Sequence, residues 1–141
     1  MRTHAVLSLL AFAALAASGC GGEKRVDVKG TVTFNGEPLP EGQIRFIPTT
    51  EAMGHVSSTK IVNGAYECMK KNGLVVGKYR VEITGYRYRA GVRPDPNVPP
   101  WANKEQYLPE KYGRKTTIEF EVPGGSGALT KDFELTKQPS G

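Results

Sequence analysis

Apolar and polar side chains alternate through residues 26–34: Val26, Val28, Val32 and Phe34 share one face, and Asp27, Lys29, Thr31 and Thr33 the other. A period of two predicts a half-buried antiparallel strand. Gly30 stands on the apolar face, where a missing side chain lets another backbone or a large side chain approach closely. Asn35-Gly36 ends the strand, since both residues tolerate positive φ. Pro38 and Pro40 cannot donate ladder hydrogen bonds, so the chain is expected to cross over through residues 37–42 before a second strand at 43–47. Two further runs, 56–62 and 65–69, flank Asn63-Gly64, the strongest short hairpin signal in the chain. Asn72-Gly73 ends the second of them. Residues 78–86 place Tyr79, Val81 and Ile83 on one face, with Lys78, Arg80, Glu82 and Thr84 on the other. Residues 116–122 turn Ile118, Phe120 and Val122 inward, 124–127 read as a flexible turn, and 131–136 close the sheet with Phe133 and Leu135. Residues 138–141 are expected to fray. No helix longer than a turn is predicted. The fold class is all-β, a single antiparallel β-sandwich of about seven (six to eight) strands over residues 26–137.

The N-terminal end breaks this pattern. Met1-Arg2-Thr3-His4 is a short positive segment, and residues 5–16 are apolar but for Ser8. That run is shorter than the roughly 20 residues a membrane-spanning helix needs, and it suits the hydrophobic region of a signal peptide. Ala17-Ser18-Gly19-Cys20 then resembles a bacterial lipobox, with Ala17 where leucine is usual. The resemblance implies a signal peptide over 1–19, lipid on the Cys20 thiol, and a short tether over 20–25. Five residues beyond Cys20 reach at most about 18 Å, so the domain would ride close to the membrane surface. Gly21 carries no inner-membrane retention signal of the aspartate kind, which leans toward the outer membrane wherever that sorting rule applies.

Cleavage before Cys20 would remove Arg2 and leave 18 basic against 14 acidic side chains, a net +4. So small and scattered a charge, on an exported chain, argues against nucleic acid as partner. With Cys20 lipidated, Cys68 has no partner for an internal disulfide and the domain must rely on its core. Alternation in Ala65-Tyr66-Glu67-Cys68 turns Cys68 inward beside Tyr66, as a buried inert thiol; an intermolecular bridge or a reactive thiol is the alternative.

The segment Gly30-Thr31-Val32-Thr33-Phe34-Asn35-Gly36-Glu37-Pro38-Leu39-Pro40-Glu41-Gly42-Gln43-Ile44-Arg45-Phe46-Ile47-Pro48 resembles the opening of the carboxypeptidase-regulatory-like (transthyretin-like) β-sandwich. More narrowly, it is similar to small lipoproteins carrying this module in planctomycete-type bacteria. Gly73-Leu74-Val75-Val76-Gly77-Lys78-Tyr79-Arg80-Val81, Tyr107-Leu108-Pro109-Glu110-Lys111-Tyr112 and Phe133-Glu134-Leu135 fit the same pattern. Leu74, Gly77 and Tyr79 are similar to a tyrosine corner, in which a Tyr hydroxyl bonds the backbone of the turn. The family usually has proline in this turn, where Val75 and Val76 stand here. The chain does not end in the Tyr-Arg-Gly-Ser-type motif of the transthyretin-like hydrolases, so the resemblance implies the fold without an active site.

The residues themselves offer little chemistry. Beyond His4, in the signal segment, the chain has one histidine, His55, in Gly54-His55-Val56-Ser57-Ser58 with no local acid placed behind it; a surface histidine is the better reading than a catalytic one. One histidine and one buried cysteine cannot supply a zinc site, and Asp95-Pro96-Asn97 reads as a turn rather than a calcium loop. No glycine-rich loop precedes a helix to cradle phosphate. Neither catalysis, metal nor cofactor is expected.

One stretch stands apart. Residues 87–115 form a long segment in which Pro94, Pro96, Pro99, Pro100 and Pro109 rule out a central strand. Over residues 78–115 nine basic side chains face four acidic ones, a net +5, and Tyr86, Tyr88, Trp101, Tyr107 and Tyr112 lie among them. Aromatics beside arginine suit stacking on sugar rings, anionic polymers or a protein partner. Arg87, Tyr88, Arg89, Arg93, Trp101 and Tyr107 are the candidate binding residues. The alternative is that the aromatics pack the loop onto the sandwich while its charges stay solvated. Together these readings point to a lipid-anchored extracytoplasmic structural or protein-interaction module of the cell envelope. A carbohydrate or anionic-polymer binding module acting through 87–115 is the second reading.

Overall fold

The first strand, β1 (Asp27–Phe34), buries Val28 and Val32 as the alternation predicts, with Val26 joined just ahead of it by a bridge to Leu74. This is a computed structural model that describes residues 24–50, 54–124 and 127–137. The expected signal segment, Cys20, the centre of the glycine-rich turn and the expected fraying tail lie outside the described residues.

The turn after β1 corrects the expected crossover. Asn35 (φ 52°) and Gly36 (φ 84°) form a two-residue hairpin turn, and Glu37–Pro38 (β2) pairs back with Thr33 and Phe34. Pro38 is tolerated because it faces Thr33, while the next donor, Leu39 N–H, reaches Val32 O at 2.9 Å. β3 then starts at Glu41 and runs to Pro48, longer than the 43–47 expected. β4 (Ser57–Val62) and β5 (Ala65–Cys68) are joined at Asn63 (φ 49°) and Gly64 (φ 79°), the predicted hairpin.

The longest strand, β6 (Gly77–Tyr88), pairs along one edge with β3 and along the other with two short strands. β8 (Glu119–Val122) lies against Gly77–Arg80, and β7 (Lys104–Gln106) against Tyr86–Tyr88. Residues 87–115 are therefore not one structureless loop. The segment leaves and rejoins a single edge of β6 and contains β7 and two one-turn 3-10 helices, Pro100–Asn103 and Glu110–Tyr112. β7 is an edge strand, so the prolines around it cost the ladder nothing.

At the C-terminal end, β9 (Ala128–Thr130) and β10 (Phe133–Leu135) both run parallel to β1, a pairing that the antiparallel expectation lacked. The order β10-β1-β5-β4-β3-β6-β7 is a curled, otherwise antiparallel sheet, and the fold is all-β and sandwich-like.

Curling brings the inner faces together around Phe46 of β3. Its ring centroid lies 5.9–6.5 Å from those of Tyr66, Tyr79, Phe120 and Phe133, which come from β5, β6, β8 and β10. Ile44, Ile61, Val81 and Ile83 fill the remainder, and Cys68 is buried among them as a free thiol. The corner before β6 closes as the sequence suggested, with Tyr79 Oη donating to Val75 O at 2.9 Å. One outward position departs from the expected exposure. Glu82 is on the outer face yet only 7% exposed, because Arg45 Nη1 (2.8 Å) and Arg80 Nη2 (3.1 Å) close over its carboxylate.

Candidate functional site

The outer face of the sheet is built by the side chains that the core leaves outside. Gly42 pairs with Gly85, which sets Glu41 beside Tyr86 at the junction of β3 and β6. Beyond that junction β6 leaves β3 and pairs with β7, so Tyr86 faces Gln106 and Tyr88 faces Lys104. Period-two alternation then puts Tyr86, Tyr88, Lys104 and Gln106 on one face of the hairpin and Arg87 and Glu105 on the other.

The candidate binding residues divide accordingly. Trp101, on the 3-10 turn that begins at Pro100, is 77% exposed and sits with Tyr86, Pro100, Lys104, Gln106 and Glu41 around an open groove of about 450 Å³. Tyr88 lies on this side, 5.0 Å under the Lys104 ammonium. Arg87 is on the opposite side, paired with Glu105 (Nε to Oε1, 2.9 Å) and stacked over the Tyr107 ring at 4.9 Å. Tyr107 in turn meets Phe34 edge-on at 5.8 Å, so it packs the segment down rather than presenting itself. Arg89 and Arg93 are exposed near the tip with no ion pair among the described residues, although the Arg89 N–H is held by Asn103 O at 3.0 Å. The six residues are thus not one cluster.

Two residues that the sequence reading passed over complete the groove. Glu41 accepts from Lys104 Nζ with both oxygens, at 2.7 and 2.6 Å. That hydrogen bond holds the Lys104 ammonium above the usual lysine range. Gln106 is the other, its amide locked by Leu108, whose backbone both accepts from Nε2 at 3.0 Å and donates to Oε1. Glu41 is distant in sequence and could be found only through the Gly42–Gly85 register. Gln106 carried the signal of lying opposite Tyr86, had the hairpin been foreseen.

The proline-rich tip is fixed by its own turns. Asp95 Oδ1 accepts from Asn97 N–H at 2.8 Å, the local turn expected of Asp95-Pro96-Asn97. His55 is exposed ahead of β4. Among the described residues no group of three or more His, Cys, Asp or Glu could hold a metal, and no helix is long and apolar enough to cross a membrane. No protein-family model, curated protein or solved structure matches the chain.

Proposed function

We propose that this chain is a lipid-anchored, non-catalytic module of the cell envelope that binds an envelope component through the face bearing Trp101. The anchor rests on residues 1–20, with Cys20 as the lipidated residue. Binding rests on one observation: the chain's sole tryptophan is 77% exposed on a proline-started turn beside an open groove. A large aromatic side chain kept in water on a backbone held by its own turn, where the Lys104 N–H donates to Trp101 O, stabilises little in the fold, and it resembles the anchors that dominate interfaces. Pre-ordering by proline lowers the entropy lost on binding. A carboxypeptidase-regulatory-like sandwich is the domain we read here, supported by the all-β curled sheet and the Tyr79–Val75 corner.

The test has two arms. Wild type should incorporate labelled palmitate and fractionate with membranes, and Cys20→Ala should do neither; equal fractionation without label in wild type would remove the anchor. Detergent-solubilised wild type should be retained on isolated envelope material, and Trp101→Ala should not. Equal retention of the two would remove the binding face.

A further inference from the structure

We infer that the Trp101 groove is one part of a longer trough that takes an uncharged linear glycan of flat, equatorially linked sugar rings. The inference rests on the preceding reading that this face binds an envelope component, and it names the ligand class.

The shape is extended. The groove at Trp101 shares Glu41 and Tyr86 with a second depression of about 480 Å³ that runs down the sheet to Gln43 and Lys60. It shares Gln106 with a third, of about 300 Å³, reaching Thr84 and Arg114. Any one of them has the volume of a small-ligand site, and the shared side chains set the three next to one another, so a ligand that occupies more than one must be extended rather than compact.

The lining is aromatic where it is exposed. Trp101 and Tyr86 border the central groove, with Tyr88 beside it at 41% exposure. A chair-form pyranose with equatorial substituents presents a face of C–H bonds only. Such a face packs on an indole or phenol ring, whose negative face attracts polarised hydrogens.

The polar groups at the centre cancel in charge. Glu41 and Lys104 are paired at 2.6 Å, and the Glu41 side chain remains 50% exposed. A charged ligand gains little from a neutralised pair, whereas a hydroxyl can donate to the carboxylate and accept from the ammonium. The exposed cations Arg89 and Arg93 do not line this central groove; the flanking depressions do carry Lys60 at one end and Arg114 and Lys115 at the other, of which Lys115 is paired with Glu110 at 2.7 Å.

Because the chain has one tryptophan, its fluorescence reports on this groove alone. The full chain in detergent is titrated with cello-, xylo- and manno-oligosaccharides from disaccharide to hexasaccharide. At least one series should perturb Trp101 emission saturably, tighten by about tenfold or more with length, and be insensitive to salt. By calorimetry, Trp101→Ala should lose at least about tenfold in affinity and Tyr86→Ala a comparable amount. Both variants must first match the wild-type circular dichroism; Trp101→Phe, expected to retain part of the affinity, covers a failure of either to fold. Absence of binding in all three series would overturn the inference, as would binding that survives Trp101→Ala. Salt-sensitive capture of heparin with no neutral glycan bound would overturn it in favour of an anionic polymer. Trp101-dependent retention on envelope material that protease treatment of that material abolishes would also overturn it, while leaving the binding face intact.

Discussion

The Lys131 carbonyl oxygen lies over Gly30 so closely that a Cβ there would stand 1.8 Å from it. The contact explains how one C-terminal strand serves β1 in two parts. β9 pairs with Asp27–Lys29 and β10 with Val32–Phe34, and the chain kinks between them at Lys131 and Asp132. Lys131 N–H reaches Lys29 O at 2.8 Å, and the Thr31 N–H is satisfied by Asp132 Oδ1 at 2.8 Å. Tyr66 Oη closes the arrangement from inside by donating to Lys131 O at 2.7 Å.

Gly30→Ala should therefore be costly despite adding one carbon. The clash is with backbone on a strand held from both sides, and overpacking of this kind costs about 3 kcal/mol. Urea unfolding should show it as a lower midpoint. An unchanged midpoint would mean that β9 and β10 do not lie where the kink puts them.

Tyr79→Phe removes only the hydroxyl that donates to Val75 O. A single neutral hydrogen bond contributes about 1 kcal/mol net, so the loss should be near that value. Phe46→Ala, by contrast, empties the centre of the aromatic cluster and should cost about 3–5 kcal/mol. Equal losses for the two would contradict the placement of Phe46 at the centre.

Burial pushes the Cys68 thiol from its ordinary 9.0 up to about 11. The folded state then keeps its proton where the unfolded chain has lost it. Stability should accordingly fall as pH rises from about 9 through about 11, with no contribution from this group at neutral pH. Cys68→Ala should make the fall between about pH 9 and 10 shallower, while a fall above pH 10 remains because burial raises the Tyr66 phenol as well. In native protein at pH 8 the thiol should resist iodoacetamide and react once denaturant is added; ready native labelling would show an accessible Cys68.

Much of this architecture is legible in residues that act locally. The alternation of β1, the Asn63-Gly64 turn and the Tyr79 corner each depend on a few neighbours, and the structure has all three. Gly30 announced a close approach, though not by what, because Lys131 is remote in sequence. The β2 hairpin is not legible locally, because only the register shows that the missing Pro38 donor leaves no ladder bond unmade. Alternation puts Glu82 on the outer face, but no local pattern shows Arg45 arriving from β3 to cover it. The candidate site was legible only as a stretch. Which of its aromatics present themselves and which pack is decided by the hairpin register, and Glu41 joins through Gly42 and Gly85.

That division yields the last prediction. Residues 87–115 are held down by Leu108, 5% exposed, and Tyr112, 8% exposed, rather than by Trp101. Leu108 and Leu39 close on Gly85 from the inner face of the sheet, each with an atom 3.0 Å from where a Cβ would stand. Tyr112 Oη donates to Thr136 O at 2.9 Å and accepts from Thr136 N–H at 2.8 Å, fastening the segment to the chain just past β10. Leu108→Ala should thus cost about 2–5 kcal/mol, as a filled core position does. Trp101→Ala, at 77% exposure, should change stability by about 0.5 kcal/mol or less. Thermal unfolding of the two variants beside wild type separates the cases. A Trp101→Ala loss matching that of Leu108→Ala would mean that Trp101 is packing the segment onto the sandwich, and a side chain spent that way is not free to meet a ligand.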